Sequence, residues 1–175
     1  MRRRLGDNPN HQPRLKRVNI MNDAKDWAVK NVKSFVGNEG YGFNASVYYK
    51  GKRVALAYDD ASGGPVVVQW SDKAAEQALQ THLKTLPEVP YDYGVVRGAY
   101  KVDEGMFVVR LVDRYEEDKQ LKRHCKTKTL FRCKGDEDGS WRTVKIPFSK
   151  ITVEHLSNKC PDIEEFANSR FGEPS

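Results

Sequence analysis

Residues 119–134, KQLKRHCKTKTLFRCK, carry Lys119, Lys122, Arg123, Lys126, Lys128, Arg132 and Lys134 and no acid. Lysine and arginine at this density attract phosphate or an acidic protein surface, and aliphatic and aromatic residues between them can build the supporting element. The run begins where a helix should end and continues into a strand. On that strand Lys128, Leu130 and Arg132 are expected to share one face, opposite Thr129, Phe131 and Cys133. Arg142 on the following strand extends the cationic face if the register allows. The competing reading is a solvated face neutralised by neighbours such as Glu116–Asp118.

Two carboxylates form the next candidate. Asp59 and Asp60 end a strand and open the loop Asp59-Asp60-Ala61-Ser62-Gly63-Gly64. Metal-dependent nucleases hold Mg²⁺ with acids at strand ends, so a metal-dependent nuclease or nucleotide-acting enzyme is the alternative function. Adjacent strand residues point to opposite faces, which favours turn chemistry instead. The two glycines lack the Lys-Ser/Thr ending of a phosphate loop. Ser62 is outside a nucleophile-elbow frame, and no catalytic triad is apparent. Gly135–Gly139 is acidic but lacks the distal glutamate of a calcium loop and reads as a charged hairpin turn.

Cys125, Cys133, His155 and Cys160, with His124 nearby, are the candidate zinc set. The His155–Cys160 spacing suits zinc, but Cys125 and Cys133 are farther apart than in a usual knuckle. Buried or free thiols are the competing reading, and no cofactor is expected. An odd number of cysteines does not suggest a disulfide framework.

The net charge of +6 is unevenly distributed. Residues 1–20 hold six cations against Asp7, and residues 119–134 hold seven against none. The rest of the chain is slightly acidic. Residues 1–20 are expected to be a flexible basic tail, with Met21 an alternative start and 21–175 a single α+β domain. No apolar run approaches the length of a membrane span, and the N-terminus lacks the apolar core of a secretory signal. A soluble, cytoplasmic protein is expected.

Alternation over 43–49, 53–58 and 66–70 predicts a three-stranded antiparallel meander, after a strand near Val32–Val36. Phe43, Ala45, Val47 and Tyr49 should face one way, and Val54, Leu56 and Tyr58 should share a face. A helix is expected from Ser71 or Asp72 to Leu86, and another from Asp103 to His124. Residues 88–102 read as loop with a short strand or turn. A second hairpin, 127–133 with 141–146, precedes a short helix at 152–158. A last helix should start at Pro161, with Ile163, Phe166 and Ala167 inward. The fold class is α+β, a meander plus a second hairpin packed with two or three helices.

Glu39-Gly40-Tyr41-Gly42-Phe43 resembles the core of the RNP1 motif of cold-shock domains and RRMs, which stack bases on strand aromatics. The resemblance implies stacking by Tyr41; it departs at Glu39, which stands where those families carry lysine. Taken with DDASGG and KTLFR, the stretch EGYGFNA also resembles small accessory proteins of bacteriophages and mobile elements. That resemblance implies a non-catalytic binding protein. It would engage nucleic acid or a host nucleoprotein complex, including a bacterial defence system.

Overall fold

The structure, a computed structural model, describes residues 24–92, 94–137 and 139–175. The expected tail and Met21 lie outside them. The described residues pack as two compact units that divide between Tyr115 and Glu116.

The first unit is built on an antiparallel sheet, β1 (Trp27–Gly37), β2 (Gly40–Tyr49), β3 (Lys52–Asp59) and β4 (Val67–Trp70), in chain order. The strand expected near Val32–Val36 is therefore the first strand of a four-stranded meander. Helix α1 (Lys73–Thr85), the hairpin β5 (Val89–Asp92) and β6 (Arg97–Tyr100), and helix α2 (Glu104–Cys125) follow. Residues 88–102, expected as loop with a short strand or turn, thus contain two paired strands. Phe107, Val108, Leu111 and Val112 of α2 and Ala75 and Leu79 of α1 share one core with Trp27, Val29, Phe43, Ala45 and Val47. Trp27 anchors it, stacked on Tyr49 at 4.3 Å and edge-on to Trp70 and Phe107 at 6.2 and 6.1 Å. Both helices start on an aspartate. Asp72 accepts from the amides of Ala74 and Ala75, and Asp103 from that of Met106.

Two bulges decide which side chains leave this core. In β1 the pairing jumps between Lys30 and Lys33, with Asn31 in the left-handed region at φ 56°. Asparagine tolerates that conformation better than most residues. In β3 the pairing passes from Val47–Ala55 to Tyr48–Arg53, which leaves Val54 extra. Val54, Ala55 and Ala57 are all buried, whereas Leu56 is 48% exposed. The expected face of Val54, Leu56 and Tyr58 is corrected accordingly. An extra residue reverses strand parity, so Leu56 and Tyr58 turn outward.

The second unit contains the end of α2, then β7 (Thr129–Cys133), β8 (Arg142–Val144), α3 (Lys150–Lys159) and β9 (Ile163–Phe166). A 3-10 turn, Ala167–Arg170, closes it. The helix expected from Pro161 is instead this strand and turn. β9 pairs along β7 with Glu164 bulged, so Ile163 and Phe166 share a face despite their helical spacing. The sheet order is β8-β7-β9, which buries β7 between two neighbours. Two small apolar clusters hold the unit together, one of Leu121, Leu130 and Ala167, the other of Phe131, Cys133 and Leu156. Among the described residues no helix is long and apolar enough to cross a membrane.

Candidate nucleic-acid interface

The cation run divides at the end of α2. Lys119, Lys122 and Arg123 follow i, i+3, i+4 spacing, which confines them to about a third of the helix circumference, and Lys126 follows at i+7 in the turn just past Cys125. All four are exposed. Leu121 lies on the opposite side of the helix, buried against Leu130 and Ala167. The sequence therefore orients the stripe by what it buries: one leucine fixes the inner face and the cations take the outer one. They also sit at the negative end of the helix dipole, which favours positive charge. Lys119 pairs with Glu116 at 3.5 Å. Among the described residues Lys122, Arg123 and Lys126 form no ion pair, so their charge faces solvent.

The strand half of the run is arranged differently. Thr129, Leu130, Phe131 and Cys133 are all buried, so neither face of β7 is a cationic surface. Leu130 lies between Lys128 and Arg132 and is fully enclosed. Arg132 pairs with Glu165 at 3.3 Å, and Glu165 also takes Arg170 at 2.7 Å. Both guanidiniums lie against the Trp141 ring, at 5.8 and 5.2 Å. Arg132 is thus a member of an internal network. Arg142 stands opposite Phe131, on the other face from Arg132, and pairs with Asp136 at 2.8 Å. Lys128 and Lys134 flank β7 at its two ends, Lys134 exposed and Lys128 partly so.

The Asp59–Gly64 loop uses its carboxylates locally. Asp59 accepts from the Ala61 amide at 2.9 Å. Asp60 accepts from the amide and hydroxyl of Ser62 at 3.1 and 2.6 Å. The Ser62 hydroxyl holds the Asp60 carboxyl below its ordinary pKa. These are aspartate turns. The loop also docks on the β1–β2 turn, where the Glu39 amide donates to the Ala61 carbonyl at 3.0 Å. A Cβ on Gly37 would meet Ala61 at 2.5 Å, so glycine is required for this approach. Tyr41 stands at the open end of the same sheet, 60% exposed and paired across the strands with Val36. Phe43 is in the core.

Cys133 and Cys160 share the small apolar cluster of Phe131 and Leu156, and His155 is exposed on α3. Burial pushes the Cys133 and Cys125 thiols up, which disfavours the thiolate that metals require. Among the described residues no three His, Cys, Asp or Glu side chains converge.

One surface was not legible in the sequence. The outer face of the four-stranded sheet carries Lys30, Lys33, Phe35, Arg53, Leu56 and Tyr58, placed there by the two bulges. Asn31 was the available signal, as a residue that accepts positive φ inside a strand pattern. The chain matches no protein-family model, no curated protein and no solved structure.

Proposed function

We propose that this chain is a non-catalytic binding protein that engages the phosphate backbone of nucleic acid, free or within a host nucleoprotein complex. The observation that carries this reading is the stripe of Lys119, Lys122 and Arg123, exposed on the side of α2 opposite Leu121, with Lys126 exposed in the turn that follows. A helix face of this kind neutralises phosphates without reading bases. Inhibition of a bacterial defence complex is the biological role that the likeness to phage accessory proteins suggests. The alternative, a metal-dependent nuclease using Asp59 and Asp60, lacks comparable support, because both carboxylates serve their own loop.

The test is binding of a labelled duplex oligonucleotide at several salt concentrations. With about four phosphate contacts, affinity should fall about 100-fold between roughly 50 and 200 mM salt. Replacing Lys119, Lys122, Arg123 and Lys126 by alanine should remove most of that slope and leave the melting temperature nearly unchanged. An unchanged affinity in that variant would overturn the assignment. A partner that survives nuclease treatment in a pull-down would point to protein instead.

A further inference from the structure

We infer that the outer face of the β1–β4 sheet is a trough that holds the bases of a single-stranded nucleic acid, separate from the helix stripe. Its floor is the outward row of β2, namely Gly42, Asn44 and Ser46, three small residues in succession, of which Asn44 is exposed while Gly42 and Ser46 are covered by their neighbours. One wall is Phe35, Lys33 and Lys30 of β1, and the other is Tyr58, Leu56 and Arg53 of β3. The register sets the rows. Lys33 and Tyr58 flank Asn44, Lys30 and Leu56 flank Ser46, and Phe35 stands across from Gly42. Tyr48, one step beyond Ser46 on the same face, ends the trough.

Strand spacing makes the walls about 10 Å apart and the trough about 20 Å long. That is the scale of the smallest single-strand sites, about 4 nucleotides.

Charge selects the occupant. Lys30, Lys33 and Arg53 are exposed and form no ion pair among the described residues. No acidic side chain of the four strands lies on this face. The only one they contain, Asp59, pairs with Phe43 on the inner side. Strands that present three cations and no acid on one face suit a polyanion.

The aromatics select a single strand over a duplex. Phe35, 38% exposed, lies across Gly42, where a Cβ would meet its ring at 2.7 Å. Tyr58 is half-buried on the opposite wall. Unpaired bases stack on such rings, whereas a duplex keeps its bases stacked on each other. Asn44, exposed between Lys33 and Tyr58, offers an amide to a base edge. Lys30 covers the ring of Tyr48 at 4.6 Å, so Tyr48 is a stop at the end of the trough and not a platform.

The bulges make this arrangement possible. Without the one at Asn31, Lys33 would face the core. Without the one at Val54, Arg53 and Leu56 could not both face outward. Each bulge turns an i, i+3 pair onto the open side, and together they assemble both walls.

The experiment uses the full chain and a variant with the four helix cations replaced by alanine, each titrated with a labelled oligothymidylate and with a duplex of equal length. Single-strand binding should persist in the helix variant. It should fall at least about 10-fold when Lys33→Glu and Arg53→Glu are introduced, and about 10-fold in Tyr58→Ala. Bromodeoxyuridine crosslinks on the unaltered chain should map to peptides containing Phe35 and Tyr58. These crosslinks, with the charge-reversal variant at exposed positions, decide the matter even if Tyr58→Ala fails to fold. Preference of the helix variant for duplex, or single-strand binding indifferent to the sheet variants, overturns the inference; loss of single-strand binding in the helix variant would leave only the helix stripe and overturn it too. A dimer that forms without nucleic acid and is lost in the sheet variants would assign the face to a second copy of the chain and overturn it as well.

Discussion

The two units stabilise themselves by different means. Residues 24–115 have one large apolar core, and their buried polar side chains are few. Residues 116–175 have two small clusters, and polar side chains do much of the joining. Asn168 is the centre of that joining. Buried on the 3-10 turn, it accepts from the Leu130 amide at 2.9 Å and donates to the carbonyls of Lys128 and Cys125 at 2.8 and 3.1 Å. Thr129 donates to the Ile146 carbonyl at 2.9 Å, and Thr152 to that of Pro147 at 3.0 Å. Small units bury too little apolar surface to rely on it alone, so each directed hydrogen bond matters more. Functional surfaces follow the same division. The larger unit can afford an open sheet face because its other face is fully packed. The smaller one exposes cations from a helix end whose inner side is Leu121, with Cys125 packed against the same cluster.

The largest expected effect tests the apolar side of this contrast. Phe107 is fully buried and edge-on to Trp27 at 6.1 Å and His82 at 5.7 Å. Phe107→Ala should cost about 4 kcal/mol, as transfer energy plus a residual cavity. Denaturant unfolding followed by tryptophan fluorescence measures it. A loss below about 1 kcal/mol would mean that the core collapses around the gap and that packing there is loose.

Asn168→Ala tests the polar side. It orphans the buried Leu130 amide and two carbonyls at once, and should cost about 3 kcal/mol. The loss should be local. Amide exchange in Thr129–Cys133 should accelerate while exchange in Ala45–Val47 stays as it was. Equal acceleration in both would show that the units open together, and the contrast would then describe composition and not cooperativity.

The same contrast explains what the sequence revealed. Element types that rest on unbroken periodicity were readable: β2, α1 and α2 follow directly from their apolar spacing and aspartate caps. The misread places are the bulges. Unbroken alternation puts Leu56 and Tyr58 with Val54, and the extra residue in β3 breaks that alternation. Ile163, Phe166 and Ala167 have helical spacing, but a bulged strand also brings i, i+3 residues to one face. What decided β9 was the need of β7 for a second neighbour, which is a tertiary requirement with no local signal. The candidate site divided in the same way. Lys119, Lys122, Arg123 and Lys126 were legible as a helix stripe. Arg132 and Arg142 were not, because Glu165 becomes a partner only when β9 pairs with β7, and Asp136 only when the β7–β8 hairpin closes.

The smallest expected effect concerns a junction inside the larger unit. Asp72 caps α1 through one carboxylate oxygen and takes Lys52 on the other at 3.0 Å. Lys52, followed by the α1 amides, holds this carboxyl below its ordinary value of 3.8. The unfolded chain therefore binds the proton at higher pH than the folded one. The cap's charge-dependent stability is fully present above that ordinary value and is lost as pH falls through the lower folded value. Asp72→Ala should cost about 1 kcal/mol near neutrality. Asp72→Asn should keep most of the cap and flatten only the acid limb, with little change at pH 7, because a pair this exposed contributes little. Melting curves of the two variants between about pH 2 and 7 separate the cap from the charge. If Asp72→Asn keeps the acid slope of the unaltered chain, the slope belongs to other carboxylates, and the polar bonds of this unit are as dispensable as its large core suggests.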